Sequence, residues 1–144
     1  MALIRTMIMT DYDRIIELLK ITPGTTVRDA DSYEATARYL ERNPELNFVA
    51  EQDDEIVGFL MCGHDGRRGY LQHMVVHTAH RRQGIARELV RCCLAQLESL
   101  GIFKSHLDVF KNNEMGQAFW ESQGWKLRTD ICRYSFISNG RENA

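Results

Sequence analysis

The 144-residue chain carries no surplus of charge of either sign: 18 lysines and arginines stand against 20 aspartates and glutamates, for a formal net charge of −2. A general nucleic-acid or membrane-surface binder shows a broad basic excess, so neither partner is expected. No apolar run approaches the ~20 residues that cross a bilayer. The alternating start Leu3-Ile4-Arg5-Thr6-Met7 does not resemble a secretory signal, and a cytoplasmic location is expected. The four cysteines, Cys62, Cys92, Cys93 and Cys132, form no C-x-x-C pair, and reduced, mostly buried thiols are expected. Two phosphate-binding glycine patterns are missing as well. Neither G-x-G-x-x-G nor G-x-x-x-x-G-K-S/T occurs, which removes dinucleotide-dependent hydride transfer and P-loop nucleotide hydrolysis.

What remains is an ordinary globular composition, 44% hydrophobic and 26% charged, at a length suited to one domain with a real core. Within it one stretch stands out. Met74-Val75-Val76-His77-Thr78-Ala79-His80-Arg81-Arg82-Gln83-Gly84-Ile85-Ala86 runs from a β-branched strand through a basic loop into a helix that opens on glycine. The first turn of a helix leaves backbone N–H groups without partners and carries the positive end of the macrodipole. Gly84 has no Cβ and Ala86 almost none, so a bulky anion can approach the main chain. Arg81, Arg82, Arg87 and Arg91 surround the turn, and Glu88 is the only acid between His77 and Arg91. A local basic patch in a near-neutral chain fits one small anionic ligand.

Read for periodicity, the chain begins with a strand over Leu3 to Met7. A helix follows with Ile15, Ile16, Leu18 and Leu19 on its apolar face, closed by Pro23-Gly24. Asp31 or Ser32 caps a second helix that runs to about Asn43, with Tyr33, Ala37 and Leu40 expected inward. Phe48-Val49-Ala50 and Ile56 to Leu60 flank Asp53-Asp54 as a hairpin, and the turn Asp65 to Gly69 leads into a strand from Tyr70 to Val76. Ile85, Leu89, Cys93 and Leu97 recur every four residues, Leu100 extends the stripe, and Gly101 stops the helix. A strand over Ser105 to Val109, a helix from about Asn113 to Gln123, and two short strands at Trp125 to Leu127 and Ile131 to Ile137 complete the reading. Ser138 to Ala144 is expected to fray.

The spacing Arg81-x-x-Gly84-x-Ala86 resembles the acyl-CoA signature of the GNAT superfamily of N-acetyltransferases: Gln or Arg, two residues, Gly, one residue, then Gly or Ala. The order of elements is similar to that family across nearly the whole chain. Its more specific part lies between Phe48 and Trp125, including the turn Asp65-Gly66-Arg67-Arg68-Gly69 that single-domain bacterial members share. The resemblance implies the α/β (α+β) GNAT fold. That means a mostly antiparallel, seven-stranded sheet flanked by about four helices, with a splayed central parallel pair, as one domain over residues 1–137 followed by a polar tail over 138–144.

It also implies a chemistry, transfer of an acetyl group from the cosubstrate acetyl-CoA to a primary amine by direct attack, with no metal. The pyrophosphate would rest on the loop amides of Arg82, Gln83, Gly84, Ile85, Ala86 and Arg87, with Arg81 helping to hold the phosphates. The pantetheine arm would pair beside Met74 and Val76, and the Met74 N–H would polarise the thioester oxygen. His77 and His80 would lie beside the phosphates. Asn113 would cap its helix and touch pantetheine. A lysine-type amine is neutral in only about one molecule in two thousand at pH 7, so a base is needed. Tyr70 and Gln72 occupy the places searched first, and neither is a base. His73 between them is the candidate, provided a bulge turns it to their face; otherwise the proton leaves through water.

The chain departs from the family seven residues after Asn113, where Trp120 stands in place of the Tyr that protonates the leaving thiolate. Indole is no proton source near neutrality, which leaves Trp120 as a wall of the cofactor site and Tyr134 as the candidate acid. His106 and Asp108 alternate onto one face and would line the acceptor groove or pair with each other. Asp29, Asp31 and Glu34 form an acidic rim that would attract a cationic amine. Either a monomer or a homodimer is compatible with these residues. The reading from another class is a noncatalytic acyl-CoA-binding sensor that kept the groove.

Overall fold

The computed structural model describes residues 1–144. Nine elements follow one another: β1 (Leu3–Thr6), α1 (Tyr12–Ile21), α2 (Tyr33–Arg42), β2 (Phe48–Gln52), β3 (Glu55–His64), β4 (Gly69–Val76), α3 (Ile85–Ser99), β5 (Ser105–His106) and α4 (Glu114–Ser122). Short 3₁₀ turns at Met9–Asp11, Asp29–Asp31 and Thr78–His80 lead into α1, α2 and the loop before α3. The strands form one sheet in the order β1-β2-β3-β4-β5, antiparallel except for the last pair.

Local chemistry explains most of these boundaries. Asp53 and Asp54 both adopt positive φ, +53° and +62°, the twist that a two-residue hairpin needs. The Ser32 hydroxyl accepts from the Ala35 N–H and starts α2. Asn113 does the same for α4 through Gly116. Gly101, at φ +82°, ends α3 where expected, which leaves Leu100 half exposed instead of extending the apolar stripe. On α2 Thr36 is buried and Leu40 packs half-buried with Tyr39 against the α1-side core, while Tyr33 is exposed and packs edge-on against Tyr12 at 5.2 Å.

Strand alternation sends residues to two faces. Val49, Phe59, Met61 and Val75 pack with Ile15, Leu18 and Leu19 of α1. Ala50, Leu60, Cys62, Leu71 and Val76 pack with Ile85, Leu89, Cys93 and Leu97 of α3. Near the sheet edge the Arg5 guanidinium closes two hydrogen bonds, 2.9 and 2.8 Å, on the buried carboxylate of Asp11. Burial opposes the ionised form of Asp11, but Arg5 and the Ile8 N–H outweigh it and hold its pKa below the ordinary carboxylate range.

The sheet has five strands, not seven. The strand expected over Ser105 to Val109 is paired only at Ser105 and His106, opposite Gly69 and Tyr70. A Cβ on Gly69 would lie 2.5 Å from Ser105 Oγ and 2.7 Å from Leu97 Cδ1, so a larger residue there would have to displace both side chains. The strands expected at Trp125 to Leu127 and Ile131 to Ile137 do not form. Their alternation is real, but a strand needs a neighbour to bond, and beyond two residues β5 offers no ladder. Residues 126–144 are all exposed. The tail nevertheless is not simply frayed. Asn143 O accepts from the Asp29 N–H at 2.8 Å, and Arg141 clasps both Asp29 oxygens at 2.6 and 3.1 Å.

Candidate functional site

The loop between β4 and α3 keeps its amides available. No protein acceptor takes the backbone N–H of Arg82, Gln83, Gly84, Ile85, Ala86 or Arg87. Gly84 is the N-cap at φ +80°, a left-handed conformation that turns the loop into the helix and that β-carbons resist. A Cβ there would meet nothing within 4 Å, so the space over the turn is open. Arg81, Arg82 and Gln83 are exposed around it, and Arg81 Nε reaches back to the Val76 carbonyl at 3.4 Å. Fifteen residues of α3 aim their dipole at this point.

Upstream of the loop, β4 has an open edge. The His77 N–H donates to Val57 O at 2.7 Å, toward β3, so alternation turns the Val76 amide the other way, toward β5. Met74, two residues earlier, lies on the same side. Because β4 and β5 are hydrogen-bonded only at Gly69–Ser105 and Tyr70–His106, no strand covers Met74 or Val76. Leu107 and Val109 continue from β5 beside them, half-buried against the same core as Met74 and Ala86.

On the opposite face the bulge required by His73 is present. Phe59 pairs with Val75 but Met61 pairs with Gln72, so one extra β4 residue is accommodated, and His73 takes φ +37°. Gln72 and His73 consequently share one face instead of alternating. His73 Nε2 lies 2.7 Å from Asp31 Oδ1, a buried carboxylate on the 3₁₀ turn before α2. A carboxylate accepts, so Nε2 carries a proton, and in the neutral ring Nδ1 is the free acceptor. The second Asp31 oxygen accepts from the Arg28 N–H at 2.8 Å, and the Tyr12 hydroxyl donates to the Asp31 carbonyl. Burial raises the cost of ionising Asp31, but the bonds from His73 and Arg28 prevail and its pKa lies below the usual range. Asp31 and His73 line a cleft of about 480 Å³ between α2 and the bulge.

The remaining candidates separate. Asn113 caps α4 and sits against Gly24, so the α1–α2 connection meets the start of α4. Trp120 is 9% exposed, inside the α3-side core, with Phe119 and Trp125 edge-on at 5.0 Å each. Tyr134 is 91% exposed in the strandless segment, because the strand that would have carried it inward does not form. Asp108 is exposed and paired with Arg133, not with His106, whose ring tilts against Tyr70 at 5.8 Å. His77 and His80 stack edge-on at 5.7 Å, and no third metal-type ligand joins them. No helix is long and apolar enough to cross a membrane.

Two features escaped the sequence reading. Asp31 is the partner of His73 and not a rim acid, a pairing that follows from a bulge no periodicity reveals. Arg38 and Arg42 line the cleft with it; the one available signal was their four-residue spacing on the α2 face that begins at Asp31.

Known proteins agree with this architecture. The sequence model of the acetyltransferase (GNAT) family matches residues 12–125. An acetyltransferase of Pectobacterium atrosepticum is 40% identical over 77 residues, 54% of this chain and 55% of that protein. One from Sodalis glossinidius is 32% identical over 94 residues, covering 65% and 66%. The chain thus spans less than two thirds of the length of these relatives. Among solved structures, the PaiA N-acetyltransferase of Thermoplasma acidophilum, in complex with coenzyme A, superposes with a TM-score of 0.80 at 19% identity over 89% of this chain and 91% of its own. With a family match running from the first residue of α1 to just past α4, and every element between them in place, the chain belongs to the acetyltransferase (GNAT) family.

Proposed function

We propose that the protein moves an acetyl group from acetyl-CoA to a primary amine by direct attack in a ternary complex. The observation that carries this reading is the run of six amides, Arg82 to Arg87, left without acceptors at the head of α3 and continuous with the open edge at Met74 and Val76. Amides and dipole suit a pyrophosphate, and Arg81, Arg82 and Arg87 add charge. The uncovered strand edge suits an extended amide-bearing arm lying beside it.

In this reading the amine nitrogen attacks the thioester carbon, a C–N bond forms, and the oxygen takes up negative charge facing the Met74 N–H. His73 Nδ1 accepts the proton that the nitrogen sheds, while Asp31 keeps the ring oriented and balances the imidazolium. The carbonyl re-forms as the C–S bond breaks and the electron pair leaves with sulfur. A thiolate leaves readily, and neither Trp120, buried in the core, nor Tyr134, exposed in the tail, is required as an acid. Backbone amides and one histidine supply the chemistry.

Calorimetric titration with acetyl-CoA, without acceptor, tests the first half. Saturable one-site binding is expected; no binding at millimolar ligand would remove the acyltransferase reading altogether. Trp120 in place of a tyrosine favours one competing reading, an acyl-CoA sensor. Release of CoA thiol on adding amines separates the two, since a sensor binds without turnover.

A further inference from the structure

Which amine the cleft accepts is written in its charges. The sequence suggested an acidic rim for a cationic substrate, yet the acids are already engaged. Both Asp31 oxygens are taken, by His73 and by the Arg28 N–H. Asp29 is clasped by Arg141 from the C-terminal tail. Glu34 is exposed outside the cleft lining. The charges left free are positive. Arg38 makes no ion pair and no hydrogen bond, and Arg42 makes a single 3.3 Å bond to the His64 carbonyl. They stand one helical turn apart, at i and i+4, on the α2 face that turns toward Met61, Gln72 and His73. A cleft of about 480 Å³ suits a small molecule rather than a polypeptide surface.

From this arrangement we infer that the acceptor is a small amino acid: an amine that meets His73 and a carboxylate that meets Arg38 and Arg42. The inference rests on the acetyl-transfer reading above and names the acceptor class for that site. Guanidinium groups bind carboxylates through paired hydrogen bonds of fixed geometry, and two of them at one mouth repel a polyamine or an aminoglycoside, whose remaining amines are cationic. His73, held by Asp31, takes the proton. The arginines act on the carboxylate. Arg81, Arg82 and Arg87 belong to a different element, the head of α3, so the two basic groups serve the two substrates separately.

The test uses the whole protein saturated with acetyl-CoA and follows release of CoA thiol. The standard L-amino acids and L-ornithine are each compared with the amine left when the carboxylate is removed, L-lysine with cadaverine and L-ornithine with putrescine among them. At least one amino acid should exceed its decarboxylated counterpart in kcat/KM by about tenfold or more, the worth of a charge-assisted hydrogen bond. Replacing the exposed pair together, Arg38→Gln with Arg42→Gln, should lower kcat/KM for that amino acid about tenfold and remove its advantage over the decarboxylated counterpart, with acetyl-CoA affinity as the control for folding. Decarboxylated amines serving equally well or better would overturn the inference. So would a preference that survives the double substitution, or acetyl-CoA binding with no amino acid acetylated; in both cases the cosubstrate reading would stand. Failure to bind acetyl-CoA would instead sink the function itself, and the inference with it.

Discussion

Replacing His73 isolates the role of the bulge. Asparagine is the informative substitute, because φ at position 73 is +37°, a left-handed conformation that asparagine tolerates better than alanine and that a β-branched residue resists. Its amide stands about where Nδ1 stood and falls short of Asp31, whose carboxylate keeps the Arg28 N–H as a donor, and it cannot accept a proton. The magnitude has a ceiling set by the substrate. An amine with a pKa near 10.4 is neutral in about one molecule in two thousand at pH 7, so the base can contribute up to about 4.5 kcal/mol, and general bases commonly contribute about 10²–10⁴-fold. We expect His73→Asn to lower kcat/KM for the best amine about 100-fold or more at pH 7, with acetyl-CoA affinity near wild type and stability lower by about 1–2 kcal/mol from the lost bond to Asp31. The loss should also shrink with pH. Between pH 7 and 9 the variant should gain about tenfold per unit as solution ionises the amine in place of the base. Steady-state CoA release across that range, with calorimetric titration of acetyl-CoA alongside, measures both. An unchanged rate at pH 7 would refute His73 as the base. A loss that persists undiminished at pH 9 would show that the substitution had damaged the site and not removed a proton acceptor.

Asp31→Asn leaves one of the two donors, His73 Nε2 or the Arg28 N–H, facing an amide nitrogen; it should cost about tenfold in turnover and about 1–2 kcal/mol in stability, read by kinetics and urea unfolding. Gly84→Glu should weaken acetyl-CoA binding about 100-fold through charge at the phosphate site, whereas Gly84→Asn, which tolerates φ +80°, should remain near wild type; normal titration of the Glu variant would contradict the placement of the loop. Trp120→Tyr should not install a proton donor but should hollow the core beside Phe119 and Trp125, lowering stability by about 1–3 kcal/mol in denaturant unfolding. Asp11 titrates below its unfolded value, so its pairing with Arg5 stabilises the fold above the ordinary carboxylate pKa and is lost as pH falls through the lowered one. Asp11→Asn should therefore be less stable by about 2–3 kcal/mol at neutral pH, and the difference should narrow in acid, as thermal melts at several pH values would show.

The local parts of this molecule were legible because they are written locally. Hydrophobic period separates α3 from β4, Ser32 and Asn113 announce helix starts, Asp53-Asp54 announces a hairpin, and Arg81 to Ala86 announces an anion site through the physics of one helical turn. Those features depend on neighbours in the chain, and the structure keeps nearly all of them. The tail shows the limit. Ile131, Tyr134 and Phe136 have the composition of a strand, but strand formation is decided by a partner edge, and β5 is only two residues long.

The acceptor side was illegible for the same reason. Counting acids near Asp29 and Asp31 suggested a negative rim, while pairing across 42 residues to His73 and across 112 to Arg141 neutralises both. A bulge of one residue moved His73 across the sheet, from the face expected by alternation to the one that carries Asp31, Arg38 and Arg42. Sequence order settled the helices, their caps and the glycine-opened start of α3, each governed by interactions within a turn or two. Only packing decided where His73 points, which charges remain free and how many strands find partners, because long-range contacts depend on what the rest of the chain brings beside them.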